Sequence, residues 1–256
     1  MSGPRLGQRR ILITGGASGI GLAIAMLFQE EGARVALLDR DEAGLRRAAD
    51  SLRASGGTPV IVVGDVTERA SVDRAVGQAV EALDGLDGLL NGAGISLRKS
   101  FENTSFEEWR EVLSINLDGA FHVTQAALPA LKAANGAAIV NIASGSSFRP
   151  GPDFSAYCAS KGGLMMLSRA LAVDLSPYRI RVNAVCPGPI LTPMVERSLA
   201  RAPDQEAAMR AYVDPRLMRR LGEAREVAYA ALHLMSDEAS YTTGASIAVD
   251  GGSSFH

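Results

Sequence analysis

The sequence predicts an α/β protein built on one doubly wound parallel sheet of about seven strands, with helices on both faces and a helical insertion over one edge. Three observations predict it. Short apolar runs alternate with longer amphipathic segments from residue 10 to residue 249, the pattern of repeated strand–helix–strand crossovers. The first run, Arg10 to Thr14, ends in Gly15-Gly16-Ala17-Ser18-Gly19-Ile20-Gly21 and leads into an amphipathic segment from Leu22 to Glu31. The second run, Arg34 to Leu38, ends in Asp39, eighteen residues beyond Gly21.

The last two observations belong together. Glycines between a strand and a helix permit positive φ and let backbone amides approach a pyrophosphate, which the positive end of the helix attracts. A carboxylate at the end of the next strand then accepts from the adenosine ribose hydroxyls. This is a Rossmann-like dinucleotide site. A carboxylate there repels a 2′-phosphate, so Asp39 favours NAD over NADP; Arg40, which can pair with such a phosphate, pulls the other way and carries less weight. Asp39 also reads as an N-cap for the helical segment 41–54, a role that Asp41 fills equally well.

The alternation continues with a strand at 59–63, a helix at 67–83 and a strand at 86–90. Asp65 follows the third strand, where it can accept from an adenine amino group or cap a turn. Asn91-Gly92-Ala93-Gly94 is a second loop of small residues at the same sheet edge, leaving room for a cofactor across the strand ends. Segment 105–115 reads as helix, within a longer helical pattern reaching Leu131. Asn116 in its midst competes with backbone hydrogen bonds; it marks a kink holding a water or, the better reading when taken alone, faces solvent. His122 and Gln125 read as helix-surface or subunit-interface residues.

Residues 137–143 form a buried strand ending at Ser144, and a proline- and glycine-containing loop returns the chain to the same edge before a helix near Phe154. The sixth strand, 179–185, leads into Cys186-Pro187-Gly188-Pro189-Ile190-Leu191-Thr192. An irregular stretch of about 190–222 suggests a lid of short helices over the substrate. Substrate walls are expected from segments 96–101, with Lys99, and 146–154 and from the lid, whose arginines, Arg197, Arg201, Arg210, Arg216, Arg219 and Arg220, can greet an anionic substrate but read more readily as a solvated face. A closing helix at 223–236 and a strand at 245–249 precede Asp250-Gly251-Gly252.

Tyr157 and Lys161 stand four residues apart, on one face of a helix. A phenol of ordinary pKa near 10 is a poor base at neutral pH, and moving it to about 7 takes roughly 4 kcal/mol. A lysine at roughly 5 Å supplies about 3 kcal/mol at an effective dielectric near 20, and under 1 kcal/mol in bulk water. The pair is therefore useful only in a sheltered cleft. Alone, such a spacing more often marks an ordinary surface helix.

Composition narrows the partners. Of 256 residues, 47% are hydrophobic and 21% charged, enough to bury a large core as a single domain over 1–256. With 26 basic and 28 acidic residues, the chain has no electrostatic footprint for nucleic acid, and a small-molecule partner is expected. Two cysteines, Cys158 and Cys186, and no apparent signal peptide suggest a reducing, cytoplasmic setting. The apolar runs are too short for a membrane span.

Taken together, these motifs resemble the short-chain dehydrogenase/reductase family from about Arg9 to Gly252. Thr14-Gly15-x-x-x-Gly19-x-Gly21 is similar to its cofactor loop; Asn116, Ser144, Tyr157 and Lys161 match its catalytic tetrad. Pro187-Gly188 with Thr192 resembles its motif after the sixth strand, and Thr243-Gly244 through Gly252 its ending. Asn91-Gly92 departs from the two consecutive asparagines common in the family. The resemblance implies an NAD(P)-dependent oxidoreductase interconverting a secondary alcohol and a ketone, or alternatively an NADPH-dependent 3-oxoacyl-thioester reductase. Tyr157 would be the general acid/base, Lys161 would lower its pKa and hold the nicotinamide ribose, Ser144 would orient the substrate oxygen, and Asn116 would hold a water linking Lys161 to solvent. Implied cofactor contacts are Gly15, Ser18, Gly19, Ile20, Gly21, Asp39, Arg40, Asp65, Val66, Asn91, Ala93, Gly94, Tyr157, Lys161, Pro187, Gly188, Ile190 and Thr192. No metal is implied, and a homotetramer or homodimer is.

Overall fold

Along the first strand, β1 (Arg10–Thr14), Ile11 and Ile13 pack into one apolar layer and Leu12 into the other. That two-residue alternation with both faces apolar is what a sheet covered by helices on each side requires. The computed structural model describes residues 3–200 and 202–254. The strands β2 (Arg34–Asp39), β3 (Val60–Val63), β4 (Gly88–Asn91), β5 (Ala138–Ile142) and β6 (Arg181–Pro187) join β1 in one parallel sheet. A two-residue strand β7 (Ile190–Leu191) pairs apart from it with β8 (Gly222–Glu223), and β9 (Ser246–Val249) closes the main sheet. The order is β3-β2-β1-β4-β5-β6-β9.

Helices α1 (Gly19–Glu30), α2 (Glu42–Ala54) and, near the C-terminus, α9 (Ala224–Met235) cover one face. Helices α3 (Arg69–Leu83), α5 (Gly119–Ala133) and α6 (Ser155–Asp174) cover the other. The segment between β7 and β8 carries α7 (Pro193–Ala200) and α8 (Gln205–Val213). Winding reverses between β1 and β4, so the crevice lies outside the C-terminal ends of these strands, where open parallel sheets bind ligands. Thr14, Asp39, Asn91, Ile142 and Pro187 are the strand ends that border it.

Local chemistry moves several boundaries. The long helical pattern around Asn116 is broken into α4 (Phe106–Leu113), a π turn at Ser114–Asp118 and α5. Within the turn, Gly119 N donates to Ser114 O, five residues back. A kink is therefore present. The fourth strand starts at Gly88 rather than residue 86, because the Asp87 carboxylate is bound by Arg10 through its backbone N (2.9 Å) and Nε (2.7 Å). The sixth begins at Arg181 and not 179, because Arg179 has φ +57°, left-handed and incompatible with a strand. Asp41 is the N-cap of α2, accepting from Gly44 N at 2.9 Å, which leaves Asp39 free of that duty.

Candidate active site

Two glycines shape the floor of the crevice. A Cβ on Gly21 would stand 2.2 Å from Gly15 O, and one on Gly15, at φ +70°, would stand 2.8 Å from Ala93 N. Only glycine fits either position. Thr14 clips the floor together, its Oγ1 accepting from Gly92 N at 3.1 Å and Ala93 N at 3.2 Å. Ser18 precedes α1 without a side-chain cap. The first amides of that helix therefore open on the crevice, the arrangement that attracts anions.

At the end of β2, Asp39 is held by backbone, its Oδ2 accepting from Ala17 N (3.3 Å) and its Oδ1 from Asp41 N (3.1 Å). Arg40 turns toward Asp65, Nη1 to Oδ2 3.7 Å. Asp65 also accepts from Thr67 N (2.9 Å) and Thr67 Oγ1 (2.7 Å). Burial pushes the Asp65 carboxyl up, but the Thr67 and Arg40 contacts outweigh it and leave it below the ordinary range.

Across the crevice, Ser144 ends β5. Its Oγ accepts from Ser146 N at 3.0 Å, which leaves the hydroxyl proton free to donate outward, and it stands close enough to the Tyr157 phenol to favour its ionised form. The Phe154 ring stacks on Tyr157 with centroids 4.4 Å apart. One turn along α6, the buried Lys161 donates from Nζ to Ile142 O at 2.7 Å. Behind them, Asn116 is buried with its side chain fully engaged: Oδ1 accepts from Ile95 N (2.8 Å), and Nδ2 donates to Ile95 O (3.0 Å) and Ser160 Oγ (3.0 Å).

The electrostatics differ from the sequence expectation. Burial pushes the Tyr157 phenol above its usual value, with the Ser144 hydroxyl opposing and Cys158 adding to the rise. Burial likewise pulls Lys161 down to about 8, against a smaller upward pull from Cys186, whose own thiol burial raises to about 11. Lys161 alone does not lower Tyr157, because both ionised forms lose hydration in the same sheltered pocket and the ammonium is tied to the Ile142 carbonyl.

Most of the residues singled out from the sequence line one cleft of about 720 Å³. Gly15, Ser18, Gly19, Ile20, Gly21, Asp39, Arg40, Asp65, Val66, Ala93 and Gly94 wall one end; Ser144, Tyr157, Lys161, Pro187, Gly188, Ile190 and Thr192 wall the other. Asn91 is a correction. Its side chain turns into the sheet and donates to Thr124 Oγ1 (3.0 Å) and Asn141 Oδ1 (2.8 Å), and Gly92 takes its place at the wall. Asn116 too stands behind the wall. Lys99, expected near the substrate, pairs with Glu108 at 2.8 Å. His122 and Gln125 are remote, bonded to Val66 O and Arg69.

The lid arginines divide. Arg210 pairs with Glu206 and Arg220 with Glu226; Arg197 borders the cleft but is exposed, whereas Arg216 is half-buried at the cleft, so the solvated-face reading fails for Arg216. Arg201 lies outside the described residues. Sequence reasoning missed Ser160 and the pairing of Phe154 with Tyr157, and it placed Arg98 and Arg149 only within broad wall segments. Among the described residues no cluster of His, Cys, Asp and Glu is placed to hold a metal ion, and no helix is long and apolar enough to cross a membrane.

Residues 15–254 match a family described as enoyl-(acyl carrier protein) reductase. A cyclopentanol dehydrogenase of Comamonas sp. is 39% identical over 248 residues, covering 97% of this chain and 98% of the relative. The chain belongs to the short-chain dehydrogenase/reductase family. An NADP-dependent (R)-specific alcohol dehydrogenase of Lentilactobacillus kefiri is also 39% identical, covering 97% of each chain. The crystal structure of levodione reductase superposes with a TM-score of 0.93 at 34% identity, covering 97% of this chain and 98% of the other. Membership of this short-chain dehydrogenase/reductase family makes the protein an oxidoreductase of the NAD(P)-using kind.

Proposed function

We propose that the protein is an NAD-dependent dehydrogenase that interconverts a secondary alcohol and a ketone. The observation that carries this reading is the meeting of the Ser144 hydroxyl and the Tyr157 phenol in one cleft with buried Lys161, opposite a glycine floor that no side chain can enter. The donor chemistry fits a dinucleotide. The glycine loop and the uncapped start of α1 suit a pyrophosphate, and Asp39, with lone pairs to spare, suits ribose hydroxyls. Arg40 is drawn to Asp65 and leaves Asp39 to set the preference, so the NADP named for the Lentilactobacillus relative is disfavoured here.

When bound, the nicotinamide accepts or supplies a hydride. Tyr157 then takes the alcohol proton during oxidation, or returns it during reduction. Ser144 donates to the substrate oxygen and stabilises its developing charge. Lys161 adds positive charge behind Tyr157, and together with the dinucleotide's charge it brings the phenol down from its raised value. Asn116 acts by position: it anchors the Ile95 backbone and Ser160, holding the π turn against α6.

The segment of about 190–222 is a lid over the substrate, and the whole chain works as one domain. Exposed Phe106, Phe121, Met166 and Val173 on α4, α5 and α6 suit a homodimer or homotetramer. Free Cys158 and Cys186 suit the cytoplasm. The test is a panel of cyclic and linear secondary alcohols and ketones, with NAD(H) and NADP(H) compared side by side. Turnover with NAD and its loss in Tyr157→Phe support the reading. Preference for NADPH and 3-oxoacyl thioesters moves the assignment to the competing acyl-thioester reductase.

A further inference from the structure

The cleft's two ends carry opposite charge. Its carboxylates, Asp39 and Asp65, sit at the ends of β2 and β3, while the end around Tyr157 is lined by Arg98, Arg149, Arg197 and Arg216. Among the described residues, no carboxylate comes within ion-pair distance of Arg98, Arg149 or Arg216, although twelve other arginines and lysines of the chain have such a partner. The Arg98 guanidinium lies 5.4 Å over the Phe154 ring, which itself stacks on Tyr157. Arg149 donates from Nη1 to Ser253 O at 3.1 Å.

Arg216 is the most constrained. It is half-buried, donates from Nη1 to Ala211 O at 3.1 Å, and keeps its Nε buried with no hydrogen-bond partner among the described residues. A buried donor without an acceptor is costly and rare in native proteins. The nearby Asp250 carboxylate does not serve it, being committed to Gly252 N, Ser254 N and the Ser253 and Ser254 hydroxyls. Arg149 and Arg98 both repel the Arg216 charge, which puts the three in one field.

We propose that the substrate end of the cleft is a carboxylate site, and that the enzyme acts on secondary alcohols or ketones bearing a carboxylate held by Arg216 with Arg98 and Arg149. A planar carboxylate matches the guanidinium fork and supplies acceptors to donors that the chain leaves unmet. Arg98 lies over the Phe154 ring that stacks on Tyr157, so the anion is held beside the reacting groups. The chemistry of the substrate's oxidation rests on the reading above; binding of the anion does not.

The test compares 3-hydroxybutanoate, 4-hydroxypentanoate and 5-hydroxyhexanoate with their methyl esters, and measures succinate binding to the purified protein by calorimetry. Charge-assisted hydrogen bonds of this kind predict that at least one acid exceeds its ester in kcat/KM by about ten- to a hundredfold. Arg216→Gln, and independently Arg149→Gln, lower that acid-to-ester ratio and weaken succinate, whereas Arg210→Gln on the outer lid changes neither. Esters turned over as well as every acid, or an equal loss of both in the Arg216 and Arg149 variants, overturn the carboxylate site and leave the dehydrogenase standing. Succinate binding that disappears in these variants, in a protein that oxidises no alcohol, supports the site and overturns the dehydrogenase.

Discussion

Asn116 donates from Nδ2 to the Ser160 hydroxyl at 3.0 Å, tying the π turn to α6. Ser160 passes the constraint on, donating to Tyr157 O at 2.8 Å. Ser160→Ala breaks the chain of bonds without removing any side chain that lines the cleft. It is expected to destabilise the fold by about 1–3 kcal/mol in urea melts, because an amide donor is left buried and unmet. In steady-state assays it lowers kcat more than KM, since what is lost is the placement of Tyr157.

Tyr157→Phe removes the phenol that lines the cleft together with Ser144 and Lys161. General acid–base catalysis contributes about 10²- to 10⁴-fold, so turnover should fall within or below that range. NADH binding, followed by fluorescence, should persist. A variant that keeps its turnover excludes Tyr157 as the proton carrier.

Gly21→Ala places a methyl 2.2 Å from Gly15 O, which the floor cannot absorb without moving. Overpacking of this kind costs about 1–3 kcal/mol. The expected signature is a lower melting temperature together with lost dinucleotide binding, and normal nucleotide affinity in this variant would show that the loop is not the cradle.

Asp39→Ser removes the carboxylate that repels a 2′-phosphate and keeps Arg40, 3.7 Å from Asp65, at the neighbouring position. The NADP-to-NAD ratio of kcat/KM should rise by about tenfold or more, the equivalent of about 1.4 kcal/mol. An unchanged ratio would locate the preference elsewhere.

Lys161 gives a pH-dependent stability. Its folded pKa of about 8 lies below the ordinary 10.5, so the unfolded chain binds the proton more tightly. The burden is full below pH 8, shrinks as pH rises from about 8 to 10.5, and is absent above. The gap between 10.5 and about 8 corresponds to about 3 kcal/mol. Lys161→Met should therefore stabilise the nucleotide-free protein near pH 7 and lose that advantage by pH 10.5 in denaturant titrations, while abolishing activity. Equal stability of the two proteins at pH 7 would show that Lys161 is not buried at this cost.

The doubly wound parallel sheet and the glycine floor were legible in the sequence because they rest on local rules: two-residue alternation, positive φ, and the short reach from strand to helix. The irregular helix at Asn116 was only half legible, since an amide within a helical pattern is a local conflict that a solvent-facing side chain would also resolve. Asn91 was not legible. Strand-end position suggested the cleft, but the strand pleat turns the side chain toward Thr124 and Asn141 instead.

By itself the sequence singled out Ser144, Tyr157 and Lys161 as the candidate catalytic groups and placed them at one edge of a dinucleotide fold, and the structure brings the three to one cleft. Only the tertiary structure decided their electrostatic state and their surroundings. Burial, which raises Tyr157 and lowers Lys161, depends on what the whole fold packs around them. Whether an arginine is a solvated surface charge or an unmet donor in a cleft depends on where carboxylates from other segments fall: Arg210 meets Glu206, and Arg216 meets none.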